Sequence, residues 1–165
     1  MKKIVTFLLL VSLSQVANAQ AYSGKGDRKF QVGATFQNGG TGINSTFDLG
    51  LGENMSIGLV GSYMLNATSI GSEKAKFSDR AEVKARFNAN LGKVIGLDSK
   101  MDLYPGLNLG TRNFGAHLGF RYFFSDGFGI FAETNMPLAK YKSEVVGFDR
   151  YNNQFVMVIG ASFNL

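Results

Sequence analysis

The residues of this chain that could do chemistry are its charges and its single histidine, and their spacing is regular. From position 80 to 91 the sequence reads RAEVKARFNANL. Arg80, Glu82, Lys84 and Arg86 stand two apart, Asn88 and Asn90 continue the series, and Ala81, Val83, Ala85, Phe87, Ala89 and Leu91 fill the places between. Asp102, His117, Arg121 and Glu133 hold the same kind of place in later alternating runs. Side chains two apart on a strand share a face, so all eight charged or titratable residues belong on polar faces. Opposite charges brought into one confined space form ion pairs; left unpaired there, each would be costly. The expected centre of such a network is Glu133 with Arg121, together with the row Glu82, Lys84 and Arg86.

Catalysis has little to stand on. His117 is followed by Leu118 and Gly119, and no Ser–His–acid spacing, phosphate-binding loop or metal-ligand cluster is legible. The chain has no Cys, which removes disulfides, Cys-ligated zinc and thiol nucleophiles. No catalytic residue, metal or cofactor is expected, and the chain is not expected to be an enzyme.

The charges must be positioned by strands. Besides 80–91, alternating runs cover 29–37, 43–51, 55–65, 101–110, 114–124, 128–136 and 154–165. Asn38-Gly39-Gly40, Gly52-Glu53-Asn54 and Ser125-Asp126-Gly127 mark tight turns between them. Pro105 within a run cannot donate to a ladder and suggests a local bulge. Longer polar stretches at 66–79 and 138–153 read as loops, the first with Glu73, Lys74 and Lys76, the second with Lys140, Lys142, Glu144 and Arg150.

Residues 1–19 read as a secretory signal: Lys2 and Lys3, an apolar run too short to span a bilayer, and the small-residue pattern Ala17-Asn18-Ala19. Residues 20–28 are a polar, glycine-containing lead-in, expected to be loose, and 29–165 form one domain. Without Lys2 and Lys3 the chain carries 15 basic against 12 acidic residues, dispersed rather than clustered, so no nucleic-acid partner is expected.

Eight period-2 strands of roughly 9–11 residues fit an eight-stranded antiparallel up-and-down transmembrane β-barrel. An exported soluble sandwich has the same alternation. It is disfavoured by the glycines on polar faces (Gly33, Gly50, Gly58, Gly106, Gly119), which weaken an exposed strand but make room in a narrow barrel. In the barrel, Leu59, Val83, Phe87, Leu107, Leu118 and Ile159 face lipid. With the N-terminus periplasmic, the two longer loops lie outside the cell. Phe30, Phe36, Tyr63, Phe114, Tyr122, Phe124, Phe128, Phe155 and Phe163 fall near strand ends, as interfacial girdles do.

The stretch LGFRYFFSDGFGIFAE, positions 118–133, resembles hairpins of small outer-membrane β-barrel proteins of the OmpX and OmpA-transmembrane-domain type, including porin-like families of Bacteroidetes. The resemblance covers the whole segment after the leader. It implies the outer membrane of a Gram-negative bacterium, outer-membrane lipid as surroundings, and recognition of the C-terminal strand by the outer-membrane assembly machinery. Lipid A deacylases share this size and fold, but Gly119 stands where their His-x-Ser motif has its nucleophile. The expected role is structural or interactive at the cell envelope through the outer loops, with an extracellular partner the sequence does not name. The alternatives are a small-solute pore or, further off, a lipid-interface hydrolase. Eight strands leave a lumen that side chains can fill, which disfavours the pore.

Overall fold

A computed structural model of the chain describes residues 19–70, 72–142 and 147–165. The leader expected at 1–19 lies outside the described residues except for Ala19, as do Gly71 and Glu144. Eight strands follow in order: β1 (Arg28–Gln37), β2 (Gly40–Gly50), β3 (Met55–Ala67), β4 (Ala81–Ala89), β5 (Met101–Gly110), β6 (Asn113–Phe123), β7 (Phe128–Lys140) and β8 (Val156–Asn164). Each pairs antiparallel with the next, and β1 pairs with β8, so the sheet closes on itself. The fold is the all-β, eight-stranded antiparallel barrel that the alternation predicts. One short helix, α1 (Phe77–Arg80), leads into β4, and a 3-10 turn (Gly147–Asn152) leads towards β8.

The barrel is polar inside and apolar outside. Leu59, Val83, Phe87, Leu107, Leu118 and Ile159 all point outward and are exposed, Leu59 by 62%. Arg86, one residue from Phe87, is 3% exposed. Period 2 produces this inversion: each strand sends every second side chain through the wall. At the end that carries both termini, aromatic side chains form a chain of contacts over β6, β7, β8 and β1: Tyr122–Phe124 (5.1 Å), Phe124–Phe128 (6.2 Å), Phe128–Phe163 (5.6 Å) and Phe163–Phe30 (6.4 Å) between ring centroids.

Several local expectations are corrected. No bulge forms at Pro105, which pairs in register with Leu118 on β6. On its other side the β4–β5 ladder runs from Lys84↔Gly110 to Asn88↔Gly106 and resumes with Leu91 N donating to Leu103 O (2.9 Å). Pro105 falls in that gap, where its missing N–H costs one rung and no register shift. The register shifts lie instead at Thr41/Gly42 and Phe114/Gly115. β7 continues through Pro137 to Lys140, past the expected end at Met136. Its last pair with β8 is Asn135↔Val156, so Pro137 sits where β7 has β6 alone as neighbour, a tolerated edge position. β2 begins at Gly40, leaving Asn38 and Gly39 as the whole turn, with Gly39 at φ +84°. Arg80, expected at the head of β4, ends α1.

The lead-in is not loose. Ala19, Ala21 and Tyr22 are buried, the two alanines packing against Phe123. Ala21 N donates to Ser99 O (2.7 Å), and Asn164 Nδ2 donates to Gln20 O (3.3 Å). The segment folds into the mouth of the barrel at that end, where its backbone groups find partners.

Candidate functional site

The lumen holds the chemistry-bearing side chains, and glycines set which of them meet. Cross-strand neighbours in one row run Asp48, Gly58, Arg86 on β2, β3 and β4. Gly58 has no side chain to separate its neighbours, so Arg86 reaches over it to Asp48. Arg86 Nε donates to Asp48 Oδ1 (2.7 Å), and its Nη2 closes a second bond to Asp48 Oδ2. Arg86 Nη1 donates to Glu133 Oε2 across the lumen (2.9 Å), and Nη2 also reaches Gln31 Oε1 (3.0 Å). One guanidinium thus holds two carboxylates, using the planar fork that suits bidentate pairing. Asn135 Nδ2 donates to Glu133 Oε1 (2.9 Å), and Thr46 Oγ1 donates to Gln31 Oε1 (3.0 Å), which completes the layer.

Arg121 makes a second layer nearer the termini. It lies directly opposite Asp102 on β5, and its Nη2 donates to Asp102 Oδ2 (2.7 Å) and Asn90 Oδ1 (2.5 Å). The expected Glu133–Arg121 pair does not form. The register is as expected, with Glu133 opposite Gly119, but the ring of Tyr104 fills the space over Gly119. Arg121 stacks on that ring (4.5 Å to the centroid) and turns to its direct partner, while Glu133 crosses to Arg86. Arg86 also lies over Tyr104 (5.9 Å), so one fully buried tyrosine separates the two arginines.

His117 follows the glycine rule too, in the row Asn88, Gly106, His117. Its Nε2 lies 2.7 Å from Asn88 Oδ1, which can only accept, so Nε2 donates. Its Nδ1 lies 3.4 Å from Asn108 Nδ2. Both ring nitrogens are taken by amides, and no hydroxyl hydrogen-bonds to the ring among the described residues. Asp48, Asp102 and Glu133 are each committed to an arginine, and no cluster of three metal-ligating side chains is present among the described residues.

Towards the other end, Glu82 pairs with Lys84 (3.2 Å). Arg80 lines the same space from the end of α1, apart from the two arginine layers. Above them the loops form a cap. Tyr151, fully buried, packs with Met64 and Ala75, and its hydroxyl donates to Thr68 O. Gln37 Nε2 donates to Tyr151 O (2.8 Å) and Asn152 Nδ2 donates to Asp79 O (3.0 Å). Arg112, from the β5–β6 turn, donates to Ser78 O (2.5 Å) and pairs with Asp149 (2.5 Å), which also takes a bond from Lys142 (2.6 Å). The hydrogen bond from Lys142, with the charges of Lys142 and Arg112, holds the Asp149 carboxyl below its ordinary range.

At the termini end, Tyr22 hydroxyl lies 2.6 Å from Met55 O and 2.9 Å from Gly52 O. Burial, with Asp27 nearby, pushes its phenol up to about 12. Lys29 joins Asp27 (2.8 Å) and donates to Asn164 Oδ1 (2.6 Å). Asp48, Gln31, Tyr104, the docked lead-in and the cap are elements of the lumen that the spacing argument did not single out. Two did carry a signal: Asp48 stands on a polar face one glycine away from Arg86, and Tyr104 stands on a polar face directly opposite Gly119.

No curated protein matches the chain. A solved structure described as "De novo design of transmembrane beta-barrels" is similar in fold, with a TM-score of 0.55 and 9% identity over 87% of this chain and 98% of that one. A family model matches residues 12–165, nearly all of the sequence, and the chain therefore belongs to the family of unknown function DUF6646.

Proposed function

We propose that this protein is an integral membrane β-barrel of the outer membrane of a Gram-negative bacterium, closed by its own side chains. Its role is structural or interactive at the cell envelope, through the capped loop end. The observation that carries the reading is the reversal of polarity: Leu59 is 62% exposed on the outside while Arg86 is 3% exposed within. A water-soluble barrel has no use for a continuous exposed apolar band, whereas hydrocarbon requires it. The likeness to designed transmembrane barrels supports the fold that this reading needs. The OmpX/OmpA-type resemblance and a C-terminal strand that engages the assembly machinery belong to the same proposal. Arg86, pairing with Asp48 and Glu133 across the lumen, stands where an open pore would need water. His117, bonded on both nitrogens by amides, gives no support to a hydrolase.

The test joins membrane fractionation with planar-bilayer recording of the refolded protein. The expected result is a heat-modifiable protein in the outer-membrane fraction with no steady conductance. Recovery in a soluble fraction overturns the membrane assignment, and large stable ion-selective openings overturn the closed lumen in favour of a small-solute pore.

A further inference from the structure

On the outside of the barrel, β4 and β5 frame a groove of about 270 Å³. Phe87, Leu107, Leu109 and Phe114 line it, and Ala85 leaves the gap between Leu59 and Leu109 in one cross-strand row. Leu109 pairs with Phe114 across the β5–β6 hairpin, so the groove ends at the turn that carries Arg112. Arg112 is three residues beyond Leu109, at most roughly 10 Å along the chain. Tyr141 N donates to Arg112 O (3.2 Å), which brings the exposed Lys140 and Lys142 to the same turn. Arg112 and Lys142 share one carboxylate, Asp149, and so leave one positive charge over. The whole loop end is positive: residues 66–80, 111–112 and 138–153 hold seven basic against four acidic side chains, a surplus of three. At the termini end, 20–28, 51–54, 90–100 and 124–127 balance at four against four, and the remaining residues of the strands also balance at four against four. After the leader, the entire surplus therefore lies at the loop end.

We propose that a phosphate-bearing lipid docks on this face, with one acyl chain in the groove and its phosphate at Arg112, Lys140 and Lys142. The inference rests on the membrane reading given above. Charge selects the headgroup: a phosphate takes charge-assisted hydrogen bonds from arginine and lysine, whereas a neutral headgroup would leave the surplus uncompensated. The groove selects the tail, because its side chains offer hydrocarbon and neither donor nor acceptor. A free phosphate ion would use the rim and leave the groove empty. A second copy of the chain fits worse. A two-fold pair brings identical surfaces together, so two positive rims would meet. Five side chains also fall far short of the roughly 800 Å² per partner that a stable interface buries.

The test places the full refolded chain in phosphatidylcholine bilayer discs that contain a small share of phosphatidic acid with a nitroxide on its acyl chain. Nuclear magnetic resonance then reads the paramagnetic broadening of backbone amides. Ala85, Leu107 and Leu109 report on the groove; Ala34 and Ile159, paired on the opposite wall, are the controls. The expected result is stronger, saturable broadening at the groove than at the controls with labelled phosphatidic acid, and equal broadening of both walls with labelled phosphatidylcholine. Lys142→Gln should raise the lipid share needed for half the effect about fivefold, the effect of one basic residue at an anionic headgroup. Ala85→Leu, which fills the groove, should remove the excess while Lys142→Gln only weakens it. Equal broadening of both walls with labelled phosphatidic acid overturns the proposal and leaves the membrane reading standing. Loss of the excess on adding inorganic phosphate would show that the rim binds the anion alone, and also overturns it. A chain that enters no disc overturns the membrane reading, and this proposal with it.

Discussion

Glu133 meets Arg86 across the lumen at 2.9 Å, although Arg121 lies on the strand next to its own. Arg86 also holds Asp48, and Arg121 holds Asp102. Three buried carboxylates therefore share two buried guanidiniums.

That sharing orders the mutants. Removing Glu133 leaves Asp48 with Arg86 and Asp102 with Arg121, a balanced set. Removing Arg86 leaves Glu133 without an arginine and Asp48 with only Arg121, 4.0 Å away. Arg86→Met should therefore destabilise by roughly 3–5 kcal/mol, and Glu133→Gln by distinctly less. Adding Glu133→Gln to Arg86→Met should recover part of the loss, because one lone charge goes. Urea unfolding in micelles measures all three, and equal losses in the two single variants would count against a shared guanidinium.

The outward face gives a second comparison. Leu59 sits mid-strand between Phe47 and Ala85 on the outside, while Lys84 points inward. Leu59→Arg should cost roughly 2–4 kcal/mol of folding free energy in liposomes if that face meets hydrocarbon. Lys84→Gln should cost less, since Lys84 is only partly buried in the lumen and the amide can still donate a hydrogen bond to Glu82. Refolding yield into liposomes reads both, and the reverse order would put lipid on the wrong face.

What could be read from the residues, and what could not, divides along physical lines. The phase of every strand was legible, because a closed barrel flips each alternate side chain across its wall and residues 80–91 display that flip without a break. Partners in direct register were legible in principle: Asp102 and Arg121 are neighbours across one hairpin. Partners across the lumen were not. Arg86 finds Glu133 only because the sheet closes, and closure depends on all eight strands together. The lead-in and the cap also escaped. The lead-in has no period to betray it, and Arg112 meets Asp149 only because loops remote in sequence share one barrel end.

The cap carries a pH dependence. The Asp149 carboxyl titrates below its ordinary range, so its folded pKa is depressed. A depressed acid contributes stability that is present above the unfolded value, near ~3.9, and is lost as pH falls through the folded value. Cap protection in hydrogen exchange over 147–153 should then hold at neutral pH and weaken below about pH 4. Asp149→Asn should show the weakened cap already at neutral pH and lose most of this dependence. Unchanged protection in Asp149→Asn would mean that Arg112 and Lys142 do not fasten the loops.

Tyr22 makes the opposite case. Its phenol is raised to about 12, so the neutral form is favoured in the folded state. Docking of the lead-in should be complete below pH ~10, the ordinary tyrosine value, and fail as pH rises towards the raised one. The difference absorbance spectrum between the wild type and Tyr22→Phe should show one phenol ionising late. Tyr22→Phe removes a donor from Met55 O and should destabilise by roughly 1–3 kcal/mol, with faster exchange at Ala21 N. A phenol that titrates near 10 would show the segment undocked in solution.

Two glycines on β3, three residues apart, isolate the spacing rule from strand propensity. A Cβ at Gly58 would press into Phe47 O and Asp48 Oδ1, whereas a Cβ at Gly61 would meet nothing within 4 Å. Gly58 faces the lumen between Asp48 and Arg86; Gly61 faces outward. Both substitutions to alanine reduce the freedom of the unfolded chain alike, so that contribution cancels in the comparison. Gly58→Ala should cost roughly 1–3 kcal/mol through overpacking, because backbone blocks one side and the Asp48 carboxylate must leave its bidentate bond. Gly61→Ala should be neutral or mildly stabilising. The same geometry predicts no rescue: adding Asp48→Asn to Gly58→Ala should recover little, since the Phe47 carbonyl clash remains. Unfolding midpoints of the three variants in micelles decide the matter, and a tolerated Gly58→Ala would mean that the Asp48–Arg86 bond does not depend on the gap between them.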